Sequence, residues 1–401
     1  MVTRKEYEEL LASLLKIESP YFHEVEAMAF VNSWLNENGV PARIHEYFDE
    51  RITGFHGQNV CGVMDSGKPG PTIFIGGHLD TVNLCDGWTK EPFGAEIEGD
   101  KMYGVGALDM KSGDASMLLA LKHFAKECYK DKEFKGKVLY QFASVEEGPF
   151  GLGTMFYMID NVDNVMDGVD LAIIGEPSAG FSGKPHPAIA LGARGGYNYT
   201  IKVRGVAAHA AAPHLGINAV SEASKIVAEL EKMPAKEDDK LGISQPCIIR
   251  MDGGGDACSV PDYCEIEIFH HTVRGESEET IEQRVNEAIK KANCKAEVEV
   301  CFRKTPNDDF SAGFEAYWSD ENDKYIKMLE ASAEEITGKK VSEVAMSSIG
   351  DFNHFGGKLK VPTVLFGSDG SHYHSYDEYC NLTTGVDVAN SVIDFLVKAL
   401  K

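Results

Sequence analysis

The stretch Thr72–Val82, TIFIGGHLDTV, constrains the fold more than any other part of the chain. Four residues rich in β-branched and aromatic side chains run into Gly76-Gly77 and then place His78 and Asp80 where a buried strand would end. In open α/β sheets, ligands lie in the crevice beyond the carboxyl ends of the strands. An imidazole and a carboxylate two residues apart at such an end therefore mark a candidate site. The pair alone is weak evidence, because an isolated His-x-Asp is more often a satisfied surface or cap pair.

Other strands end in the same way. KVLYQFASVEEG places Glu146 and Glu147 after a strand ending near Ser144, and LAIIGEPS places Glu176 after one ending near Ile174. YGVGALDMKSGDASMLLALKHF carries Asp109 in a Gly-rich loop ahead of a helical pattern of Met117, Leu118, Leu121, Phe124 and Ala125. PTVLFG reads as a further apolar strand, with His372 and His374 beyond it. Two histidines and three or four carboxylates, each from a different βα junction, are what two divalent cations need to activate a hydrolytic water.

A chain of 401 residues with 43% hydrophobic residues can bury more than one core, so two domains are expected. The formal net charge of -24, from 63 acidic against 39 basic residues, repels phosphate backbones and argues against nucleic acid or anionic lipid as partner. No window approaches the roughly 18 uninterrupted apolar residues of a membrane span. The stretch MVTRKEYEELLASLLKI reads as an acidic amphipathic helix without a signal-peptide core, so a cytoplasmic location is expected. The nine cysteines form no Cys-x-x-Cys pair and are odd in number, which indicates neither a disulfide framework nor a thiolate zinc knuckle.

Along the chain, helical spacing covers residues 3 to 16 and 22 to 38, the second ending at the C-cap Asn38-Gly39. Strands follow at Ala42 to Tyr47 and Asn59 to Met64, and DSGKPGP is a turn before the site strand. This alternation is that of an α/β sheet. After Glu176 the Gly- and Pro-rich passage SAGFSGKPHPAIALGARGG could carry the chain between domains, so a boundary is placed at 192. The strand Gly196 to Arg204, helix Ile217 to Met233, strands Cys247 to Met251 and Tyr263 to Val273, helix Glu278 to Ala292 and strand Lys295 to Arg303 follow. That βαββαβ order predicts a ferredoxin-like domain over 193–307. It is inserted into an α/β catalytic domain with a mixed sheet, made of residues 1–192 and 308–401. The second part returns through TPNDDF to a helix around Tyr325 to Ile336 and the strand Pro362 to Phe366.

With GGHLDTV, GALDMKSG, SVEEG, GEPS, GVAAHAAAPHLGINAV and HSYDEY in this order, the chain resembles the co-catalytic zinc metallopeptidase family of acetylornithine deacetylase, succinyl-diaminopimelate desuccinylase, aminoacylase and glutamate carboxypeptidase. The passage DACSVPD is closer to an uncharacterised hydrolase branch of it. The resemblance implies that His78, Asp109 and Glu176 hold one metal and Asp109, Glu147 and His374 the other, with Asp109 bridging. It implies a cis peptide between Asp109 and Met110. It casts Asp80 as the acceptor of the other imidazole proton of His78. It makes Glu146 the general base for amide hydrolysis by a hydroxide shared between the metals. His209 looks like the family histidine that reaches across a homodimer, formed through the inserted domain, to stabilise the oxyanion. Zinc is the expected metal, although carboxylate-rich sites also accept cobalt or manganese.

Several other candidates carry less. Gly104-x-Gly106 lacks the third glycine of a dinucleotide loop and reads as a tight turn. His270 and His271 are adjacent on a strand and point to opposite faces, so they cannot jointly grip one ion. His372 rivals His374 as a ligand, but its phase with Asp377-Glu378-Tyr379 favours His374. Cys258 and Cys264 have no partners at ligand spacing.

The chain departs from the family where substrate is recognised. Many relatives carry Asp-Arg-Arg or Asp-x-Arg where this chain reads Phe269-His270-His271, and SSIGDFNHF lacks the arginine of the deacetylase and desuccinylase branch. Neither stretch therefore carries the arginine with which those relatives would take a substrate carboxylate bidentately. Arg194, His270, Asp351 and Asn353 are the remaining candidates for substrate contacts. The expected activity is cleavage of a small N-acyl or N-carbamoyl amino acid-like substrate. A dipeptidase or carboxypeptidase, or a binding protein that kept the fold, is the alternative.

Overall fold

The computed structural model describes residues 1–148, 151–308, 310 and 313–401; Asp309 of the passage TPNDDF lies outside them. Backbone contacts divide the chain into two compact units, one of Met1–Gly192, Trp318–Met346 and Gly350–Lys401, the other of Ala193–Tyr317 and Ser347–Ile349.

The first unit is built on a mixed sheet. Its order runs Arg43–Phe48, His56–Asp65, Lys137–Ala143, Thr72–His78, Leu171–Ile174, Thr363–Leu365 and Ala188–Ala193. The strand Thr72–His78 lies in the middle, parallel to both neighbours, with His78 in register with Ala143 and Gly76 with Ile174. Ile73, Phe74 and Ile75 are buried because helices cover both faces of a parallel sheet. The helix Ser112–Phe124 is buried over all but Lys122 and His123, in keeping with its apolar middle over residues 117–121. Against it packs the C-terminal helix Leu382–Leu400, for which the sequence reading assigned no element. Its stripe of Val388, Val392, Phe395 and Leu396 closes the core.

Side-chain chemistry sets the helix starts. Thr3 Oγ1 accepts from the N–H of Glu6 at the head of Arg4–Leu15, and Asp323 caps Lys324–Thr337 by accepting from Tyr325 and Ile326. The helix expected from residue 22 begins at Val25, because Glu24 is spent elsewhere. A four-stranded sheet of Ile97–Glu98, Lys101–Tyr103, Gly370–Ser371 and Tyr379–Asn381 was not anticipated either; strands of two or three residues carry no readable period.

The second unit is an antiparallel sheet in the order Lys236–Asp238, Gly242–Gly254, Tyr263–Thr272, Gly195–Arg204, Glu297–Phe302, backed by the helices Ala219–Leu230 and Glu278–Ala292. Setting aside the short first strand, this is the ferredoxin-like βαββαβ arrangement. Ser277 and Thr280 form a capping box at the second helix. Its core joins Tyr199, Ile201 and Val203 to Ile266, Ile268, Ile226 and Val285. This unit extends past the expected boundary at 307 because Gly313–Phe314 adds to the strand Gly195–Arg204.

Candidate metal centre

Three of the parallel strands of the first unit end side by side, and each delivers its functional group at or just beyond its last residue. His78 closes Thr72–His78, Glu146 and Glu147 follow Lys137–Ala143, and Glu176 follows Leu171–Ile174. Asp109 comes from the turn before the helix Ser112–Phe124, and the Asp109–Met110 peptide is cis. His374 arrives from the loop after Gly370–Ser371.

Asp109 lies between the two histidines. Its Oδ1 is 3.5 Å from His78 Nε2 and its Oδ2 is 3.3 Å from His374 Nε2. His78 Nε2 is also 3.6 Å from Glu176 Oε1, and His374 Nε2 is 2.9 Å from Glu147 Oε1. Two overlapping sets converge closely enough to hold an ion, His78 with Glu146 and Glu176, and His78 with Asp109 and Glu147. His372 stays outside the cluster, with Nδ1 3.2 Å from the Tyr376 carbonyl. Glu146 Oε2 stands 3.9 Å from His78 Nε2, and its Oε1 accepts the Asp351 N–H at 3.1 Å.

The role expected of Asp80 is only partly what the structure shows. His78 Nδ1 is 3.0 Å from the Asp80 carbonyl oxygen but 3.6 Å from its carboxylate. The carboxylate accepts the N–H groups of Glu146 (3.1 Å) and Glu147 (2.9 Å). Asp80 therefore fixes the acidic turn as well as facing the imidazole. That turn needs fixing, since Val145 has φ 56°, an unfavourable value for a β-branched residue. Glu24 joins in, with Oε1 accepting the Val145 N–H at 3.1 Å.

Sequence reasoning missed Glu24 and, more importantly, Glu378. The buried Glu378 carboxylate accepts the N–H groups of Gly106 (2.9 Å), Leu108 (2.8 Å) and Asp109 (3.0 Å), shaping the turn that presents Asp109. Its position inside HSYDEY was the available signal. Periodicity could not reveal a partner some 270 residues away.

The suggested substrate contacts fare differently. His270 is fully buried in the second unit, with Nε2 3.1 Å from Ser244 Oγ and its ring beside Tyr199, so it offers no face to a ligand. Burial lowers its pKa to about 4. Asp351 and Asn353 are buried in the first unit; Asp351 accepts from Thr154 Oγ1, and Asn353 Oδ1 accepts the Gly350 N–H. Arg194 Nε donates to the Leu241 carbonyl (2.9 Å), and His209, exposed in the second unit, accepts the Ala211 N–H on Nδ1.

The donor set fits divalent cations. Asp109, Glu146, Glu147 and Glu176 are packed together, and among the described residues no Lys or Arg forms an ion pair with any of them. His78 Nε2 is buried without a hydrogen-bond partner. Burial of carboxylates and their mutual repulsion are costly unless cations or protons compensate. Burial first, then the charges of Asp80 and Asp109 against the relief from His78, push Glu146 up to about 7; burial and Asp109 push Glu147 up to about 8. Burial likewise drives Glu176 well above the carboxylate range. Hydrogen bonds to Asp109 and Glu147 raise His374 to about 11, while those from His374 and His78 overcome burial and hold Asp109 at about 2.

These shifts predict how metal removal couples to pH. A group whose pKa is raised by folding stabilises the fold below its unfolded pKa and loses that contribution as pH rises through the folded value. Glu146 and Glu147 act in this sense between about pH 4.5 and 8, and His374 from about pH 6.5 up to about 11. The melting temperature of chelated protein is expected to fall across these ranges, and the gap to metal-loaded protein to widen. Differential scanning fluorimetry with EDTA or Zn²⁺ checks this, and a gap independent of pH counts against the cluster as a cation site.

Solved structures match this chain over nearly its whole length. A tripeptidase from Staphylococcus aureus matches with TM-score 0.77 at 17% identity over 100% of this chain and 99% of its own. An aminopeptidase from Bacillus cereus matches with TM-score 0.75 at 20% identity over 99% of both chains. At such identities the likeness concerns the fold. In sequence, a succinyl-diaminopimelate desuccinylase of Acinetobacter baumannii is 30% identical over 236 residues, 58% of this chain and 61% of that protein. One of Orientia tsutsugamushi is 30% identical over 220 residues, 54% of each chain. The chain thus spans about 61% or less of the length of these curated relatives. The model of peptidase family M20/M25/M40 matches residues 74–401, the region that runs from the site strand through His374 to the C-terminal helix. The strand-end histidine and the acids gathered around it are therefore carried by a member of peptidase family M20/M25/M40.

Proposed function

We propose that the chain is a metal-dependent hydrolase that cleaves the amide bond of a small N-acyl or N-carbamoyl amino acid-like substrate. The observation that carries this reading is Asp109 turned with one carboxylate oxygen to His78 and the other to His374. A carboxylate so placed suits a pair of cations, one with His78, Asp109 and Glu176, the other with Asp109, Glu147 and His374. Zinc is the metal that imidazole and carboxylate donors favour, with cobalt or manganese as substitutes. Bound there, the cations supply the Lewis acidity that amide hydrolysis requires.

The chain's own groups do the rest. Glu146 takes the proton of the attacking water and passes it to the leaving nitrogen. Its Oε1 is held by the Asp351 N–H, which leaves Oε2 toward the cluster. Asp80 and Glu24 hold the strained turn that carries it. The desuccinylases among the relatives support an N-acyl substrate. The tripeptidase and aminopeptidase among the structural neighbours favour a second reading, a small peptide with a free terminal amine. The protein acts in the cytoplasm on a small molecule, with neither nucleic acid nor membrane as partner. Among the described residues no helix is long and apolar enough to cross a membrane.

Metal analysis of purified protein, followed by a screen of N-acyl amino acids, ureido acids and dipeptides, tests the proposal. Hydrolysis confined to dipeptides replaces the first reading with the second. No hydrolysis by protein holding its full metal complement counts against both.

His209 is assigned to the oxyanion of a partner subunit's site, in a homodimer formed through the second unit. His209→Ala and Glu146→Gln are each expected to be nearly inactive, and mixing them to restore part of the activity. Some heterodimer sites then combine an intact base with an intact histidine. Subunit exchange shown by mass without recovered activity removes His209 from that role.

A further inference from the structure

The turn after residue 349 and the helix that follows the two acids meet at Glu146. Asp351 donates its N–H to Glu146 Oε1 (3.1 Å), and its buried carboxylate accepts from Thr154 Oγ1 (2.5 Å). Thr154 lies in the first turn of the helix Leu152–Ile159. Its hydroxyl has one proton and two acceptors in reach, Asp351 at 2.5 Å and Gln141 Oε1 at 3.4 Å; the shorter contact takes it. Asn353 closes the other side, with Oδ1 accepting the Gly350 N–H (3.0 Å) while its own N–H donates to the Gly350 carbonyl (2.9 Å).

Two glycines allow this approach. A Cβ on Gly350 would lie 2.6 Å from Glu146 Oε1, and one on Gly151, whose φ is +58°, would lie 2.1 Å from Asp351 Oδ1. Both are closer than side-chain contacts permit, so the chain leaves bare backbone where the base and its support meet.

The geometry points to Thr154 and Asp351 as positioning residues for Glu146: the threonine hydroxyl anchors the aspartate, and the aspartate's peptide N–H sets the carboxylate that moves the proton. The inference rests on the reading of Glu146 as base. A base displaced by a fraction of an ångström loses rate, while substrate affinity and the metal ligands are untouched.

Thr154→Val removes the hydroxyl at nearly constant volume, and Thr154→Ser keeps it. With the best-hydrolysed N-acyl amino acid of the screen, Thr154→Val is expected to lower kcat roughly 10- to 100-fold with KM and bound metal unchanged. Thr154→Ser restores kcat, and a crystal structure of the valine variant shows Glu146 moved from its place beside the Asp351 N–H. Wild-type kcat, a loss confined to KM or metal content, or an unmoved Glu146 overturns the inference. Should Thr154→Val not fold, Thr154→Ala, which removes the same hydroxyl without pressing on its neighbours, is expected to show the same kcat loss. Unchanged kcat there is equally fatal. If Glu146→Gln is inactive while Thr154→Val is normal, only the positioning role fails; if Glu146→Gln retains turnover, the base assignment fails first.

Discussion

Glu146→Gln is expected to lower kcat by a factor on the order of 10² to 10⁴, the usual contribution of a positioned general base. The substitution preserves size and leaves an amide oxygen able to accept the Asp351 N–H. It also leaves the backbone N–H of residue 146 to donate to Asp80. Fold and turn geometry are thus retained, and what disappears is the ability to accept a proton. Bound metal should remain at the wild-type level. This is a sharp discrimination, because Glu146 lies within reach of His78 and Glu176 as well as beside the Asp351 peptide. Loss of metal in the variant makes Glu146 a ligand, and near-normal turnover removes it from proton transfer.

Asp109→Asn is expected to abolish turnover to the background of the assay and to reduce bound metal to at most one ion per chain. The reason lies in the two directions of the carboxylate. Each oxygen faces a different histidine, whereas an amide offers one oxygen and one NH₂, and the NH₂ cannot coordinate a cation. One half of the cluster loses a ligand and also the negative charge that offsets a divalent ion. The Asp109 N–H that donates to Glu378 belongs to the backbone, so the turn should survive, while the melting temperature of chelated protein should fall because the carboxylate paired with His78 and His374 is lost. Mass spectrometry under native conditions and a thermal melt read these outcomes separately. Retention of the full metal complement refutes the bridging role.

The site was legible in sequence to the extent that its groups stand at the ends of recognisable elements. His78, Glu146, Glu147 and Glu176 each follow a run of apolar, β-branched residues, and such runs announce buried strands. Where elements were short or the partner distant, legibility failed. Glu378 and Glu24 hold the turns of Asp109 and Val145 through backbone N–H groups, an interaction with no composition or period of its own. His270 looked available beside the missing arginines, yet the alternation of the strand Tyr263–Thr272 turns it into the core of the second unit. Asp351 and Asn353 were candidates for substrate contacts, and their burial emerged only from the packing of that loop against Thr154 and Glu146.

By itself the sequence determined the central parallel strands, the ferredoxin-like order of the second unit and the identity of the clustered acids and imidazoles. The strands and their order follow from local periodicity, and the choice of acids and imidazoles from strand ends together with the resemblance that the motifs carry. Only the tertiary structure decided that the Asp80 carboxylate serves the acidic turn and that Glu146 leans on Asp351. These choices are made by hydrogen bonds of a few ångströms between segments tens to hundreds of residues apart, and chain order carries no measure of that distance.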